Sequence, residues 1–408
     1  MKLLVQKFGG TSVKDTEGRT LAINHVKNAI QEGYKVVVVV SAMGRKGDPY
    51  ATDTLLDLIQ YPHHHVTSRE EDLLTSCGEV ISSVVFANEL KDSGVSAEAL
   101  TGAQAGFLTN EDFTQAKIKE MNPDRIYDTL QTSDVVVVAG FQGQTANGDT
   151  TTIGRGGSDT SAAALGAALQ SEYIDIFTDV EGIMTADPRL VESARPLGVM
   201  TYNEIVNLAY QGAKVVHPRA VEIAMQAKVP IRVRSTYKED FGTLVTSSRN
   251  DGMGKDIPDR PVTGIAHMSG ITQIKVEAKD DEEAYKLQSE VFKSMAEAGI
   301  SVDFINISPK GVIYTIPGAF TEKARHILQD LGYQPEIALN CAKVSTVGAG
   351  ITGVPGIAAK IVHTLTTRGV RILQSADSHT TIWVLIKDED LIKTVNALHE
   401  TFELQLGE

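Results

Sequence analysis

The 408-residue sequence lacks several features that would set it apart from ordinary soluble globular proteins. It has only two cysteines, Cys77 and Cys341, far apart and without metal-type spacing, which excludes a disulfide framework and fits a reducing compartment. No stretch reaches the roughly 18 apolar residues of a membrane span, and the N-terminal MKLLVQKFGGTSV has no apolar segment long enough for a signal peptide. We therefore expect a cytoplasmic protein with no membrane partner.

Positive charge is also scarce. The 38 lysines and arginines are outnumbered by 52 acidic residues, and the formal net charge of -14 repels phosphate backbones and anionic membranes. No helix-turn-helix pattern or basic stripe is present, so nucleic acid is not expected as a partner. An anionic ligand would have to be held by local positive groups.

The first part of the chain contains apolar runs that do not alternate with polar residues. They cover residues 3–8, 36–42, 134–141, 174–180 and 230–235, and such runs indicate parallel strands that are buried on both faces. Between them, residues 20–31, 68–92, 159–170 and 202–208 have helical spacing. Alternating strands and helices predict an α/β fold, a three-layer α/β/α sandwich.

A different pattern follows a charged, Gly- and Pro-containing segment. We predict a first domain over residues 1–246, a linker over 247–262, and two further domains over 263–341 and 342–408. The last two domains repeat one βαββα pattern, in which AEAGISVDFI and TTRGVRILQS correspond as helix ends before a strand. Interleaving of the strands of the two copies remains open.

Two glycine-containing motifs could bind phosphate or another anion. In KFGGTSV, Gly9 and Gly10 would let backbone N–H groups approach phosphate oxygens beside the charge of Lys7, although a tight packing turn explains the glycines equally well. In TTIGRGGSDTSAA, Arg155 and Asp159 stand just before an Ala-rich helix, where Arg155 could clamp a carboxylate and Asp159 could simply be an N-cap.

Two later motifs add polar groups near predicted strand and helix ends. FTDVEGIMTADPR carries Thr178 and Asp179 at a strand end and Arg189 after a proline, where ligands of open α/β sheets gather. GAKVVHPRA places Lys214 near a helix start, although a solvated surface lysine is the ordinary interpretation of a single such residue.

Taken together and in this order, the four motifs resemble those of the aspartokinases. VVSAMG and CGE also look like aspartokinase motifs, and the match spans residues 2 to about 246. The resemblance implies the amino-acid-kinase fold, shared with acetylglutamate, glutamate and uridylate kinases, followed by tandem ferredoxin-like ACT domains. The sequence is most similar to the monofunctional, diaminopimelate-sensitive type of Gram-positive bacteria.

This resemblance implies ATP-dependent phosphorylation of the L-aspartate side chain to 4-phospho-L-aspartate. That reaction is the first step towards lysine, diaminopimelate, threonine and methionine. By the same resemblance, the residues expected to act in catalysis are Lys7, Asp159 and Lys214; those expected to bind ATP are Lys7, Gly9, Gly10, Thr178, Asp179, Arg189 and Lys214; and those expected to bind aspartate are Ser41, Thr52, Glu79 and Arg155. Mg²⁺ is expected to accompany ATP mainly through water, without an assigned protein ligand.

The tail is expected to bind an amino-acid effector and to form a homodimer. Candidate effector residues are Ser301, Val302, Asp303, Gln374 and Ser375. The first copy lacks the usual glycine before its helix, so the choice among diaminopimelate, lysine and threonine stays open. Met184 stands where many relatives have tyrosine, which leaves the adenine contacts open too.

Two other functions compete with this interpretation. A glutamate or acetylglutamate kinase would use the same phosphate-binding lysines, but Glu79, Arg155 and the tandem tail argue against it. A catalytically silent amino-acid sensor would keep the fold only for binding, and the presence of Lys7, Asp159 and Lys214 argues against lost chemistry.

Overall fold

A computed structural model describes residues 1–62, 65–213, 215–247, 261–278, 281–348, 351 and 353–406, without the side chains of 281–283. These residues form two compact units. The first comprises Met1–Met184, Pro196–Ala209 and Lys214–Ile257, and the second comprises Thr185–Arg195, Tyr210–Ala213 and Pro258–Glu408. Most of the predicted linker, residues 248–260, lies outside the described residues, so the predicted domain boundaries stay a prediction.

Strands and helices alternate through most of the first unit. Its strands are β1 (Lys2–Phe8), β2 (Tyr34–Val40), β3 (Ala97–Leu100), β4 (Phe107–Thr109), β5 (Ile118–Met121), β6 (Val135–Ala139), β7 (Gln142–Gln144), β8 (Thr150–Thr152), β9 (Tyr173–Thr178), β10 (Val199–Thr201), β11 (Ile231–Ser235) and β12 (Thr243–Thr246). Its helices are α1 (Gly10–Val13), α2 (Thr16–Gln31), α3 (Thr52–Asp57), α4 (Ser68–Asp92), α5 (Asp124–Leu130), α6 (Gly157–Leu169), α7 (Tyr202–Tyr210) and α8 (Pro218–Ala227).

The main sheet has the order β10-β12-β11-β9-β1-β2-β6-β3. Its pairs are parallel except that between β11 and β12. The five strands predicted from unalternating apolar runs are β1, β2, β6, β9 and β11, and the prediction is confirmed because residues such as Val36–Val40 are buried on both faces.

Helices cover both faces of this sheet. On one face, α2 and α4 pack their apolar side chains against those of β1, β2 and β6. On the other face, α6 packs against β1 and β9. A Cβ atom at Gly166 of α6 would lie 2.3 Å from Cγ1 of Ile174, so glycine allows the helix to approach β9 this closely. The predicted three-layer sandwich is confirmed.

A small second sheet in the first unit was not predicted. It has the order β5-β4-β7-β8, and each strand has only three or four residues, too few to give a hydrophobic period. Its last strand, β8, leads directly into the turn before α6. The small sheet therefore supports the segment that carries Arg155.

Helix α4 is long and apolar enough to cross a membrane by length and composition alone, and half of its most apolar stretch is buried inside the protein. Phe86 and Leu90 of this helix belong to the core of the first unit. This is also the pattern of a core helix in a soluble protein.

The second unit has one antiparallel sheet with helices. Its strands are β13 (Gly264–Glu277), β14 (Asp303–Ser308), β15 (Gly311–Pro317), β16 (Glu336–Val347), β17 (Gln374–Asp377) and β18 (Thr381–Lys387), in the order β14-β15-β13-β16-β18-β17. Its helices are α9 (Asp281–Glu297), α10 (Thr321–Asp330), α11 (Ile357–Thr367) and α12 (Leu391–Thr401).

Two long strands join the two copies of the βαββα pattern. The first half of β13, from Gly264 to Met268, pairs with the second half of β16, and the register shifts before Ile271, after which β13 pairs with the first half of β16. Each long strand therefore contributes to both copies, and the copies share one sheet. The prediction of tandem repeats is confirmed, with the strands of the copies interleaved.

The segment Thr185–Arg195 is built into the second unit. The Thr185 hydroxyl and Nε2 of His399 are hydrogen-bonded at 2.9 Å, and the Ile265 N–H donates to the Thr185 carbonyl at 2.8 Å. Ala186 and Val191 belong to the core that α11 and α12 form. Residues close in sequence to β9 thus belong to a different compact unit from that strand.

Candidate active site

A cavity of about 280 Å³ lies in the first unit, where β1 and β2 end and α6 begins. Its walls combine residues from the two strand ends and the loops after them, from the segment after β6, from α3 and α4, and from the start of α6 with the turn before it. They are Lys7, Gly10, Ser41, Ala42, Gly44, Thr52, Glu79, Phe141, Gly154, Arg155, Gly156, Gly157, Ser158 and Asp159. The structure thus brings together all the predicted aspartate-binding residues with Lys7 and Asp159.

Lys7 and Asp159 form an ion pair at the N-terminus of α6. Lys7 Nζ lies 2.7 Å from Asp159 Oδ1, and their side chains are 13% and 12% exposed, so water screens the pair only weakly. Asp159 Oδ2 accepts a hydrogen bond of 3.2 Å from the His217 N–H. The N-cap of α6 is Gly156, and no side chain caps this helix. The alternative interpretation of Asp159 as the N-cap is therefore wrong.

The turn after β1 is packed closely against the loop after β2. A Cβ atom at Gly10 would lie 2.7 Å from the carbonyl oxygens of both Ala42 and Gly44, and the Gly44 N–H donates to the Gly10 carbonyl at 2.9 Å. A side chain would therefore push the two loops apart. A packing role for Gly10 is established, and it keeps the loop backbone close to Lys7.

Glu79 is a buried carboxylate on α4. Its Oε1 accepts a hydrogen bond of 3.1 Å from the Ala42 N–H, whereas no hydrogen-bond partner of the buried Oε2 is found among the described residues. Burial without a compensating cation raises the pKa of Glu79 to about 8. A cationic group in the cavity would satisfy both the free oxygen and the charge.

Arg155 supplies the opposite charge to the same cavity. Arg155 is exposed, and it follows Gly154, whose φ of +79° favours glycine. Within the described part of the chain, no hydrogen bond or ion pair to its guanidinium is found. The cavity therefore offers a cation beside a buried carboxylate, which is the pattern that suits an amino acid.

The predicted nucleotide residues outside the KFGGTSV motif lie in three different places. Thr178 ends β9, and its hydroxyl donates to Oδ1 of Asp179 at 3.1 Å, while Oδ2 of Asp179 pairs with Arg45 at 3.3 Å. Arg189 belongs to the second unit, where its side chain is 84% exposed and pairs with Asp187 at 2.6 Å. Lys214 lies outside the described residues.

A resident metal centre is not evident in the described residues. Among them there is no group of three or more His, Cys, Asp or Glu side chains that could hold a metal ion. The cavity itself combines Arg155 with the buried Glu79, charges that suit a zwitterionic small molecule.

Two of the predicted effector residues of the second unit, Asp303 and Gln374, already have side-chain partners within that unit. Asp303 Oδ2 lies 2.5 Å from Nζ of Lys343, a lysine that is 4% exposed. The Gln374 amide donates to the Phe304 carbonyl at 2.6 Å and accepts from Gln273 at 2.8 Å. Ser301 and Val302 precede β14, and Ser375 is exposed on β17.

Some residues at or near the cavity were missed in the sequence. Phe141 and Ser158 line the cavity directly, and Asp72 of α4 is a buried carboxylate that binds backbone close to Arg155. Asp72 stands seven residues before Glu79, which is two helical turns, so its place on the same face of α4 could have drawn attention to it.

Both parts of the chain are similar to known proteins. Residues 2–235 match the amino acid kinase family, and residues 336–400 match an ACT domain. The chain is 66% identical to Aspartokinase 1 of Bacillus subtilis (strain 168), over 99% of this chain and 100% of that relative. It is similar to E. coli aspartokinase III in complex with aspartate and ADP, with 25% identity, a TM-score of 0.76 and coverage of 98% and 99% of the two chains. It is also similar to the same enzyme in complex with lysine and aspartate, with 25% identity, a TM-score of 0.75 and the same coverage.

Proposed function

Because the chain belongs to the aspartokinases of the amino acid kinase family, we propose that the cavity of the first unit is where it binds aspartate and phosphorylates it. As an aspartokinase, the protein transfers the γ-phosphoryl group of ATP to the side-chain carboxylate of aspartate, with allosteric regulation through its ACT domains. The observation that carries the site proposal is the meeting of Lys7, Glu79 and Arg155 in one cavity.

The chemistry requires charge neutralisation more than proton transfer. The side-chain carboxylate of aspartate has an unperturbed pKa of about 4 and is ionised at neutral pH, so no general base is required. The obstacle is repulsion between this anion and the phosphates. The site must therefore hold the carboxylate oxygen in line with the γ-phosphorus and stabilise the negative charge of the transition state.

Lys7 is the proposed electrostatic stabiliser of the transferring phosphoryl group. Its ammonium is mostly shielded from water, which strengthens its attraction for phosphate oxygens. Asp159, bound to Lys7 on one oxygen and to the His217 N–H on the other, would orient the lysine. Lys214 is proposed as the second phosphate-binding lysine.

The proposed aspartate site uses opposite charges at its two ends. The ammonium of the substrate would pair with the free Oε2 of Glu79, and the α-carboxylate would pair with the Arg155 guanidinium, whose fork geometry suits a carboxylate. Ser41 and Thr52 line the same cavity and would complete the site. Binding of the ammonium would favour the ionised form of Glu79, so the buried carboxylate gains the counter-ion that it lacks.

For the nucleotide, we propose the residues that the motifs indicate. They are Lys7, Gly9, Gly10, Thr178, Asp179, Arg189 and Lys214, with Met184 leaving the adenine contacts open. Mg²⁺ would arrive as part of MgATP and keep much of its hydration shell.

We further propose that the second unit binds an amino-acid effector near Asp303 and Gln374, with Ser301, Val302 and Ser375 close by, and that the chain forms a homodimer in the cytoplasm. The similar E. coli enzyme in complex with lysine and aspartate supports an amino acid as effector. Diaminopimelate is the effector that we favour, since its distal end carries both an ammonium and a carboxylate. Those groups match the charges of Asp303 and Lys343.

The experiment that tests the site is a coupled assay of ADP formation with MgATP and L-aspartate. Replacement Lys7→Ala should lower kcat by about 100- to 1,000-fold, because it removes a charge that stabilises the transition state. Lys2→Ala, which removes a lysine of the same strand whose side chain is 57% exposed, is the matched control and should retain kcat.

The same assay tests the substrate and the effector. Turnover should depend on L-aspartate and should not occur with L-glutamate or N-acetylglutamate, and diaminopimelate, lysine and threonine are added in turn to identify the inhibitor. Equal turnover in native protein and the Lys7→Ala variant would contradict the role of Lys7. Turnover with another acceptor would contradict the proposed aspartate site.

A further inference from the structure

Asp72 is a fully buried carboxylate whose partners among the described residues are backbone N–H groups and a hydroxyl rather than a cation. Its two oxygens accept hydrogen bonds from the Thr114 N–H at 3.0 and 2.9 Å, from the Thr152 N–H at 2.9 Å and from the Thr152 hydroxyl at 2.6 Å. Because a buried carboxylate is costly unless its oxygens are satisfied, these contacts fix both threonines relative to α4.

The first of these threonines is held in an unfavourable backbone conformation. Thr114 has φ of +69°, a backbone conformation that is strained for a β-branched residue. Such a conformation persists only where the surroundings fix it. Asp72 provides a charged acceptor for the Thr114 N–H and so accounts for the persistence of this turn.

Both threonines lie next to the glycine before Arg155. A Cβ atom at Gly154 would lie 3.1 Å from the Thr114 carbonyl oxygen and 3.4 Å from Cα of Gln115, so the Thr114 turn forms the wall against which Gly154 packs. Thr152 is the last residue of β8 and precedes Gly154 by two positions. The two threonines thus set the path of the chain that presents Arg155 to the cavity.

The helix that carries Asp72 also carries Glu79. The two residues are seven positions apart, so they lie on the same face of α4, two turns from one another. Glu79 lines the cavity from this helix directly, whereas Arg155 reaches the cavity from a segment that Asp72 ties to the helix. One rigid element therefore sets the position of both the carboxylate and the guanidinium.

We propose that Asp72 is a positioning residue for aspartate recognition, which holds Arg155 at a fixed place relative to Glu79 through Thr114 and Thr152. This proposal rests on the proposed function, in which Arg155 and Glu79 bind the two ends of the amino acid. Asp72 is not among the residues that line the cavity, so it would act on the ligand only through Arg155. Its substitution should change the affinity for aspartate and leave the affinity for ATP unchanged.

The test is steady-state kinetics of the full chain with Asp72→Asn. The asparagine has the same shape but turns one acceptor oxygen into an NH₂ donor that faces N–H and O–H donors. We expect the KM for aspartate to rise about tenfold or more, since a 1 Å displacement of a binding group has effects of this size or larger. The KM for ATP should stay within about twofold.

Two further variants separate positioning from a merely structural role. Thr152→Val removes only the hydroxyl bond and should raise the KM for aspartate by a smaller factor, while Thr152→Ser keeps that bond and should restore the native KM. Ser83→Ala is the control, because Ser83 is buried on the same helix and its hydroxyl donates to the Val80 carbonyl of that helix. A structural role alone would lower the melting temperature and leave the KM of the folded fraction unchanged.

Arg155→Gln, alone and combined with Asp72→Asn, distinguishes the failure of this inference from failure of the proposed function. The expected result is that Arg155→Gln raises the KM for aspartate and that the double variant is no worse than Arg155→Gln alone. An unchanged KM in Asp72→Asn beside a raised KM in Arg155→Gln would overturn the positioning role. An unchanged KM in Arg155→Gln would overturn the assignment of Arg155 itself, and with it the positioning role that depends on it.

Discussion

The two proposed amino-acid sites of this protein differ in how their charged groups are partnered. In the cavity of the first unit, Oε2 of Glu79 has no hydrogen-bond partner among the described residues, and no ion pair of Arg155 is found there. In the second unit, Asp303 is paired with the buried Lys343, and Gln374 both donates and accepts a hydrogen bond. One site is ready for a ligand and the other is internally satisfied.

This difference has a physical consequence for binding. A ligand that enters the first cavity supplies partners to groups that lack them, so its binding relieves an existing cost of burial. An effector that binds beside Asp303 must replace or share existing contacts. Binding of the effector would therefore be linked to a rearrangement of side chains in the second unit. A regulatory site requires such a link, because a ligand shifts the equilibrium between two conformations of a protein only if it binds them with different affinities.

Among variants that change the charged groups of the two sites, Glu79→Gln is expected to have the largest effect. It removes the negative charge of the carboxylate that lacks a partner in the first cavity. The KM for aspartate should rise about 10- to 100-fold, because a charge-assisted hydrogen bond to the substrate ammonium is replaced by a neutral contact. Steady-state assays at pH 8, close to the raised pKa of Glu79, measure this effect. An unchanged KM would remove Glu79 from the aspartate site.

The stability of the same variant should move in the opposite direction. Burial raises the pKa of Glu79 in the folded protein to about 8, so its contribution to stability is present at low pH and is lost as the pH rises from the unfolded value, about 4.5, through 8. Glutamine does not ionise. In thermal unfolding, the melting temperature of Glu79→Gln should therefore exceed that of the native protein at pH 8, and the difference should be much smaller at pH 5. The control is Ser82→Ala, a neutral change at a buried position of the same helix, which should not show this pH dependence.

A smaller effect is expected when the partnered site is made to resemble the unpartnered one. Lys343→Met removes the buried cation and leaves Asp303 without its ion pair. Inhibition by lysine, whose side chain carries an ammonium but no carboxylate, should strengthen about tenfold, which corresponds to one charge-assisted hydrogen bond. Inhibition by diaminopimelate should weaken, since its distal carboxylate loses the Lys343 cation.

The measurement is the concentration of each amino acid that halves aspartate kinase activity. Lys393→Met, which removes an exposed lysine of α12, is the control and should leave both concentrations unchanged. Parallel weakening of inhibition by both amino acids would contradict the assignment of selectivity to Lys343. It would instead indicate that the substitution disturbs the effector site as a whole.

Most of the fold could be predicted because its signals are local. The runs of buried valine at Val36–Val40 and Val135–Val138 allow hardly any other structure than central parallel strands. The strands of the small sheet, with three or four residues each, are too short to show a hydrophobic period and were missed. The segment Thr185–Arg195 was assigned by its place in the sequence, whereas its membership of the second unit depends on contacts such as that between Thr185 and His399, which are more than 200 residues apart.

The site could be predicted where motif and geometry coincide. Lys7, Glu79, Arg155 and Asp159 were assigned from motifs and lie around one cavity. The role of Asp72 could not be predicted from the sequence. It depends on the path of the chain at Thr114 and Thr152, and on a positive φ at Thr114 that its residue type does not indicate. Likewise, the ion pair of Asp303 arises from a lysine 40 residues away in the neighbouring repeat.

The smallest effect is expected at the edge of the first site, where the proposed nucleotide residue Asp179 is paired with Arg45. Their side chains are 49% and 74% exposed, so this pair should contribute less than about 1 kcal/mol to stability. Arg45→Gln should change the melting temperature by less than about 4 °C and lower the KM for ATP by less than about threefold, because a weak competitor for Asp179 is removed. Asp179→Asn in the same assays checks that Asp179 itself matters for ATP. A marked rise in the KM for ATP in Arg45→Gln would instead mean that Arg45 contacts the nucleotide, so that this exposed pair, like the one at Asp303, has to exchange partners when its ligand binds.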